Sequence, residues 1–155
     1  MSSKSKVKLL LIQFTIIMVA LSTLAVIGVS KRSTSKRVGS TGRIKAINVQ
    51  VYGDSSCTNV IDEFDWGILE PGDSVSKKIY VKHNSKFDHT LSVYDSGWDP
   101  VEAGSYLTLS CDKDGMILGP KKVIEVILTL TVSNEISRIN NYSLNIVIEA
   151  IKQNP

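Results

Sequence analysis

The sequence predicts an all-β protein, a seven-stranded antiparallel sandwich of immunoglobulin-like size preceded by one N-terminal transmembrane helix. Three observations carry that expectation. Residues 9–29 are apolar and carry no charge. From residue 44 onward, apolar residues recur at every second position and helical periodicity is absent. Turn signals return roughly every 8–15 residues along that stretch.

The apolar run reads LLLIQFTIIMVALSTLAVIGV, 21 residues. At about 1.5 Å per residue it is roughly 30 Å long, the thickness of a bilayer's hydrocarbon core. Residues 1–8 before it carry Lys4, Lys6 and Lys8, a basic n-region. The run exceeds the roughly 7–15 residues of a cleaved leader's apolar core, and no A-x-A site follows. An uncleaved signal anchor spanning 9–29 is the expectation, with a cleaved signal peptide as the alternative. A buried core helix fits less well, because soluble helices of this length carry charge.

Residues 30–43 read SKRSTSKRVGSTGR, rich in Ser, Thr, Gly and base. This is the composition of a flexible tether beside a membrane. Its cations suit a solvated spacer, or alternatively contact with anionic head groups.

Charge separates these regions from the body. The chain has 155 residues and a net charge of +3, but residues 44–155 hold 10 bases and 15 acids, so −5. The basic balance lies next to the membrane. A body of this sign repels phosphate, so no nucleic-acid partner is expected. A hydrophobic content of 43% excludes a disordered chain, and the length excludes a full α/β barrel.

The strands follow in order. Ile47, Val49 and Val51 alternate with Asn48, Gln50 and Tyr52, and Val60–Trp66 is a second short run. Glu70-Pro71-Gly72-Asp73 is a turn with Pro at i+1 and Gly at i+2, the type II preference. Val75, Ile79 and Val81 lie on one face and Lys78, Tyr80 and Lys82 on the other. Leu91 and Val93 mark the next strand, then Leu107, Leu109 and Cys111. Lys113-Asp114-Gly115 reads as a hairpin turn. Ile124, Val126, Leu128, Leu130 and Val132 form the most regular strand, and Tyr142, Leu144, Ile146 and Ile148 the last. A body of this size buries enough surface to fold without metal or staples.

Several of these segments carry a resemblance. Thr41-Gly42-Arg43-Ile44-Lys45-Ala46, Val51-Tyr52-Gly53-Asp54, Cys57-Thr58-Asn59, Asp65–Gly72, Tyr80–Asn84, Gly97-Trp98-Asp99-Pro100, Leu107–Ser110 and Thr129–Ser133 resemble a group of archaeal proteins. That group has one N-terminal membrane segment and a β-sandwich ectodomain, and the resemblance covers about 105 residues of this chain. More loosely, Leu69-x-Pro71-Gly72 followed by Val81-Lys82-x-Asn84 is similar to immunoglobulin-like surface modules. These include the camelysin-like fibre proteins, which polymerise by strand exchange.

Orientation draws on all of this. Three Lys precede the apolar run and Lys31, Arg32, Lys36 and Arg37 follow it, which by the positive-inside rule favours a cytoplasmic body. The resemblance, the Ser/Thr/Asn-rich strands, the sequon Asn141-Tyr142-Ser143 and the pair Cys57 and Cys111 favour the outside. The expectation is a single-pass protein of the cell membrane with its C-terminal domain outside.

Candidate chemistry is sparse. Cys57 and Cys111 are a candidate disulfide, with two separate thiols as the alternative. Asn141 is a candidate glycosylation site. Trp66 and Trp98 either plug the ends of the core or present interaction aromatics. For copper, the available ligands are His83, His89, Cys57, Cys111 and Met116, but no His follows Cys111 as a blue-copper loop requires. His83 and His89 are expected as solvated loop residues. The acids Asp62, Glu63 and Asp65, and Asp95, Asp99 and Glu102, lack calcium-loop spacing. There is no G-x-S-x-G and no Cys–His pairing signal. No catalytic residue, metal or cofactor is therefore assigned. The sequence predicts a non-catalytic cell-surface module for envelope interaction, adhesion or recognition. Its expected partners are lipid through residues 9–29, and envelope proteins, glycans or copies of itself. The alternative is a subunit of an extracellular filament assembled by strand exchange through the first strand, Arg43–Tyr52.

Overall fold

The computed structural model describes residues 38–153. The transmembrane helix expected over 9–29 and the tether up to residue 37 lie outside the described residues. Among the described residues, no helix is long and apolar enough to cross a membrane.

The body is an all-β sandwich of two sheets. Its strands are β1 (Val38–Ile47), β2 (Val49–Tyr52), β3 (Glu63–Leu69), β4 (Ser74–His83), β5 (His89–Asp99), β6 (Leu107–Cys111), β7 (Ile117–Leu118), β8 (Val123–Val132) and β9 (Asn141–Lys152). A 3-10 helix, Val101–Ser105, follows β5. One sheet has the order β3-β1-β9-β5-β7 and the other β2-β4-β8-β6. Odd strands thus build one sheet and even strands the other, so every connection crosses from layer to layer.

Three expectations need correction. The described residues hold nine strands, not seven. No two consecutive strands pair, so the hairpin expected at Lys113-Asp114-Gly115 is instead a turn between sheets, with Gly115 at φ 77°. The sandwich is also not purely antiparallel, because β1 runs parallel to β9 from Gly39↔Asn141 to Ile47↔Glu149. The physical reason is common to all three. Period-two alternation says which face of a strand is dry but not which strand lies beside it.

Local chemistry explains the breaks between strands. Ile47 to Tyr52 alternates without interruption in sequence, yet the chain changes sheets at Asn48. Asn48 sits at φ 59°, a left-handed conformation that Asn tolerates, and its Nδ2 donates to the Ala150 carbonyl at 3.3 Å. The expected type II turn is present. Gly72 has φ 88°, and the Asp73 amide donates to the Glu70 carbonyl at 3.0 Å. The short β7 is anchored by Leu118, which is fully buried.

The core lies between the layers. Ile79 and Val81 of β4 and Val126, Leu128, Leu130 and Val132 of β8 face Leu91 of β5 and Leu144, Ile146 and Ile148 of β9, all buried. These are the apolar halves of the alternating patterns, and their burial is the main stabilising contribution. The start of the body shifts from the expected boundary. Val38 is 0% exposed and β1 begins there, so Val38–Gly42 belong to the sandwich rather than to the tether.

Candidate functional site

The outer face of the five-stranded sheet carries a polar groove of about 320 Å³. Thr41 and Arg43 of β1, Glu63 of β3, Gly97 of β5 and Ser143, Leu144 and Asn145 of β9 line it. The register brings these side chains into one band, with Thr41 beside Ser143, and Arg43 between Glu63 and Asn145. Two irregularities shape the groove. The β1–β3 ladder shifts between Ser40 and Thr41, and the β5–β9 ladder shifts between Ser96 and Asp99. Gly97 lies in the second bulge at φ 59°, and a Cβ there would collide with the Asn145 amide. Only glycine lets β5 pass this close over β9.

A second, more open cleft of about 310 Å³ adjoins it through Ser143. Asp99, Pro100, Asn141 and Tyr142 complete its lining. Tyr142 points its ring into the core, 6.0 Å from the Trp98 ring. Burial pushes the Tyr142 phenol up to about 12, and the neighbouring Ser40 side chain offsets part of that rise. The two recesses together present a guanidinium, carboxylates, hydroxyls and amides. That set offers hydrogen-bond donors and acceptors, and it holds no His or Cys among the described lining residues.

The outer face of the four-stranded sheet is different. Ser74 pairs with Thr131 at 3.1 Å and Ser76 with Thr129 at 2.8 Å, and Thr108 and Ser110 extend the same two rows on β6. Beyond them Lys78 and Tyr80 both reach Glu125, at 3.1 and 3.0 Å. These hydrogen bonds hold Glu125 below the usual carboxylate range and Tyr80 above the usual phenol range.

The residues singled out from sequence are dispersed. Trp66 is 2% exposed, tilted against Phe64 in the core with its Nε1 unpartnered among the described residues, so it is no surface aromatic. Trp98 is half-buried, donates from Nε1 to Asp95 at 2.6 Å and packs beside Gly104 of the 3-10 helix. Exposed aromatic surface comes from Phe87 and Tyr94, which the sequence did not single out. Asn141 is exposed at the start of β9.

Cys57 and Cys111 are free thiols, not a disulfide. Cys57 lies in the loop after β2 and Cys111 ends β6, on opposite edges of the four-stranded sheet. Strands about 4.8 Å apart leave far more than the roughly 4.4–6.8 Å that a bridge spans between Cα atoms. Burial raises the Cys111 thiol above its usual range. Of the acids weighed as cation ligands, Glu63 and Asp99 line the two recesses, while Asp65 and Asp95 serve the backbone and Trp98. Asp65 accepts from the Gly67 amide at 2.8 Å, and Asp95 holds Trp98.

The histidines overturn their expected place. His83 ends β4 at 0% exposure and His89 begins β5 at 9%. Their ring centres are 4.6 Å apart, edge to face. They are core residues, because His83 continues the inward series Ile79, Val81, and His89 precedes Leu91 on the same face.

No family model matches the chain, and no curated protein matches its sequence.

Proposed function

We propose that the chain is a non-catalytic β-sandwich module displayed at the cell surface, where it acts in envelope interaction, adhesion or recognition. An uncharged run of 21 residues anchors it and the basic tether spaces it from the membrane. The observation that carries the interaction reading is the polar groove across β3, β1, β9 and β5, shaped by two bulges. Bulges re-aim side chains at sites of recognition. The groove offers donors and acceptors of both charges, the chemistry that meets glycan hydroxyls or a polar protein edge. The test is retention of the full chain on isolated cell envelopes. Saturable retention that falls at least tenfold in Arg43→Ala/Asn145→Ala supports the groove. Retention unchanged in that variant, or none at all, contradicts it.

One observation favours the filament reading as a second possibility. β1 leads the body, fills the slot between β3 and β9, and leaves through the single residue Asn48. A β1 from a neighbouring copy would make the same ladders in that slot. Here β1 occupies its own sheet, the monomeric arrangement. Size-exclusion chromatography and electron microscopy of the purified chain separate the two. Concentration-dependent fibres favour exchange, and a monomer at all concentrations removes it.

A further inference from the structure

We propose that His83 and His89 form a ligand pair for a late first-row transition-metal ion, of the copper, nickel or zinc class. The argument starts from two hydrogen bonds. His83 Nδ1 lies 3.0 Å from the Gly119 carbonyl, and His89 Nδ1 lies 3.0 Å from the Phe87 carbonyl. A carbonyl only accepts, so each ring carries its proton on Nδ1. Each Nε2 is then a bare lone pair. This is the outer-shell arrangement of metal-ligating histidines, whose second nitrogen donates to a carbonyl or carboxylate and so fixes the tautomer and ring orientation.

The surroundings add a second, independent observation. His83 Nε2 is buried and has no hydrogen-bond partner among the described residues. A buried acceptor without a partner is costly, and an electrophile that meets it removes that cost. The spacing suits a shared ion. With metal–nitrogen bonds of about 2.0–2.1 Å, two imidazoles that bind one ion side by side hold their ring centres roughly 4.5–5 Å apart. The observed separation is 4.6 Å. His89 is the less buried of the two and gives the pair its route to solvent.

The rim decides which ion. Among the described residues no group of three or more His, Cys, Asp or Glu side chains gathers to hold a metal, so the two imidazoles are the whole preformed set. Asp88 is exposed beside Gly119, and by rotating it would complete the coordination together with water. Two of the nearby lysines have other contacts. Lys121 donates to the Asn84 carbonyl at 2.6 Å, and Lys152 sits 5.9 Å from the centre of the Phe87 ring. Two nitrogens and few oxygens disfavour calcium and magnesium, and the order of affinities favours copper over nickel and zinc.

The test titrates zinc and nickel into the full chain carrying Cys57→Ser and Cys111→Ser, which removes the thiols as competing ligands. Thermal unfolding is followed, together with the electron paramagnetic spectrum of added copper(II). The expected result is a rise in Tm of about 5 °C or more at saturating metal, and copper coupled to two imidazole nitrogens. Magnesium and calcium leave Tm unchanged. His83 lies in the core, so the decisive variant is His89→Asn, which keeps the fold, loses the Tm response and leaves at most one coupled nitrogen. An equal response in His89→Asn overturns the proposal. So does the absence of any metal response.

Discussion

Tyr142 and Trp66 show what single side chains contribute to this sandwich. The Tyr142 phenol is pushed up to about 12 by burial, whereas an unfolded tyrosine titrates near its usual value of 10.0. Above that value the unfolded chain loses a proton that the folded chain keeps. Stability is therefore full below pH 10 and declines as pH rises toward about 12. Denaturant unfolding between pH 9 and 12 checks this, and Tyr142→Phe is expected to flatten that part of the profile while staying within about 1 kcal/mol of the parent at pH 7. Trp66→Ala is expected to cost about 3–5 kcal/mol, read from the same unfolding curves, because the indole is almost wholly enclosed. Much at this scale was legible. The inward series Ile79, Val81, His83 and His89, Leu91, Val93 has one parity on each strand, so the histidine burial follows from the rule that locates the core. Reading polar residues as loop residues concealed it. Neither Arg43, read as the end of the tether, nor Asn145 stood out, since nothing in the alternation announces the bulges that make a groove around them.

At the scale of elements, the longest patterns read most faithfully. β8 and β9 place Val126, Leu128, Leu130 and Val132, and Tyr142, Leu144, Ile146 and Ile148, in the core as their alternation requires. Leu128→Ala is expected to lower unfolding free energy by about 2–5 kcal/mol in chemical denaturation, the cost of a cavity in a closely packed layer. Where the pattern ran on past a break, it misled. Ile47 to Tyr52 alternates perfectly, but the left-handed Asn48 cuts it in two and sends the halves to different sheets. Asn48→Val is expected to destabilise by about 1–3 kcal/mol, since a β-branched residue resists that backbone and loses the bond to Ala150, whereas Asn48→Gly is milder. The two-residue β7 was too short for any periodic signal, and only the turn at Lys113-Asp114-Gly115 before it was legible.

For the whole molecule, strict alternation between layers has consequences for folding and for boundaries. Every ladder joins strands that are not neighbours in sequence, so folding on the slow side, milliseconds to seconds, is the expectation from topology. The same arrangement makes β1 indispensable, because it holds β3 and β9 together. Residues 35–155 are expected to melt cooperatively by circular dichroism, whereas a fragment starting at residue 44 loses more than half of β1, including the fully buried Val38, and melts at least 10 °C lower or without a clear transition. The sequence placed that boundary in a flexible tether because Gly39, Ser40, Thr41 and Gly42 have tether composition, and only the pairing with β3 and β9 makes them strand. The anchor, the tether and the outward display of the sandwich form the centre of the functional account, and protease treatment of intact cells carrying a C-terminal tag tests them most directly. The account predicts that the tag is cleaved while a cytoplasmic control protein stays intact. A tag that survives until the cells are lysed would contradict it.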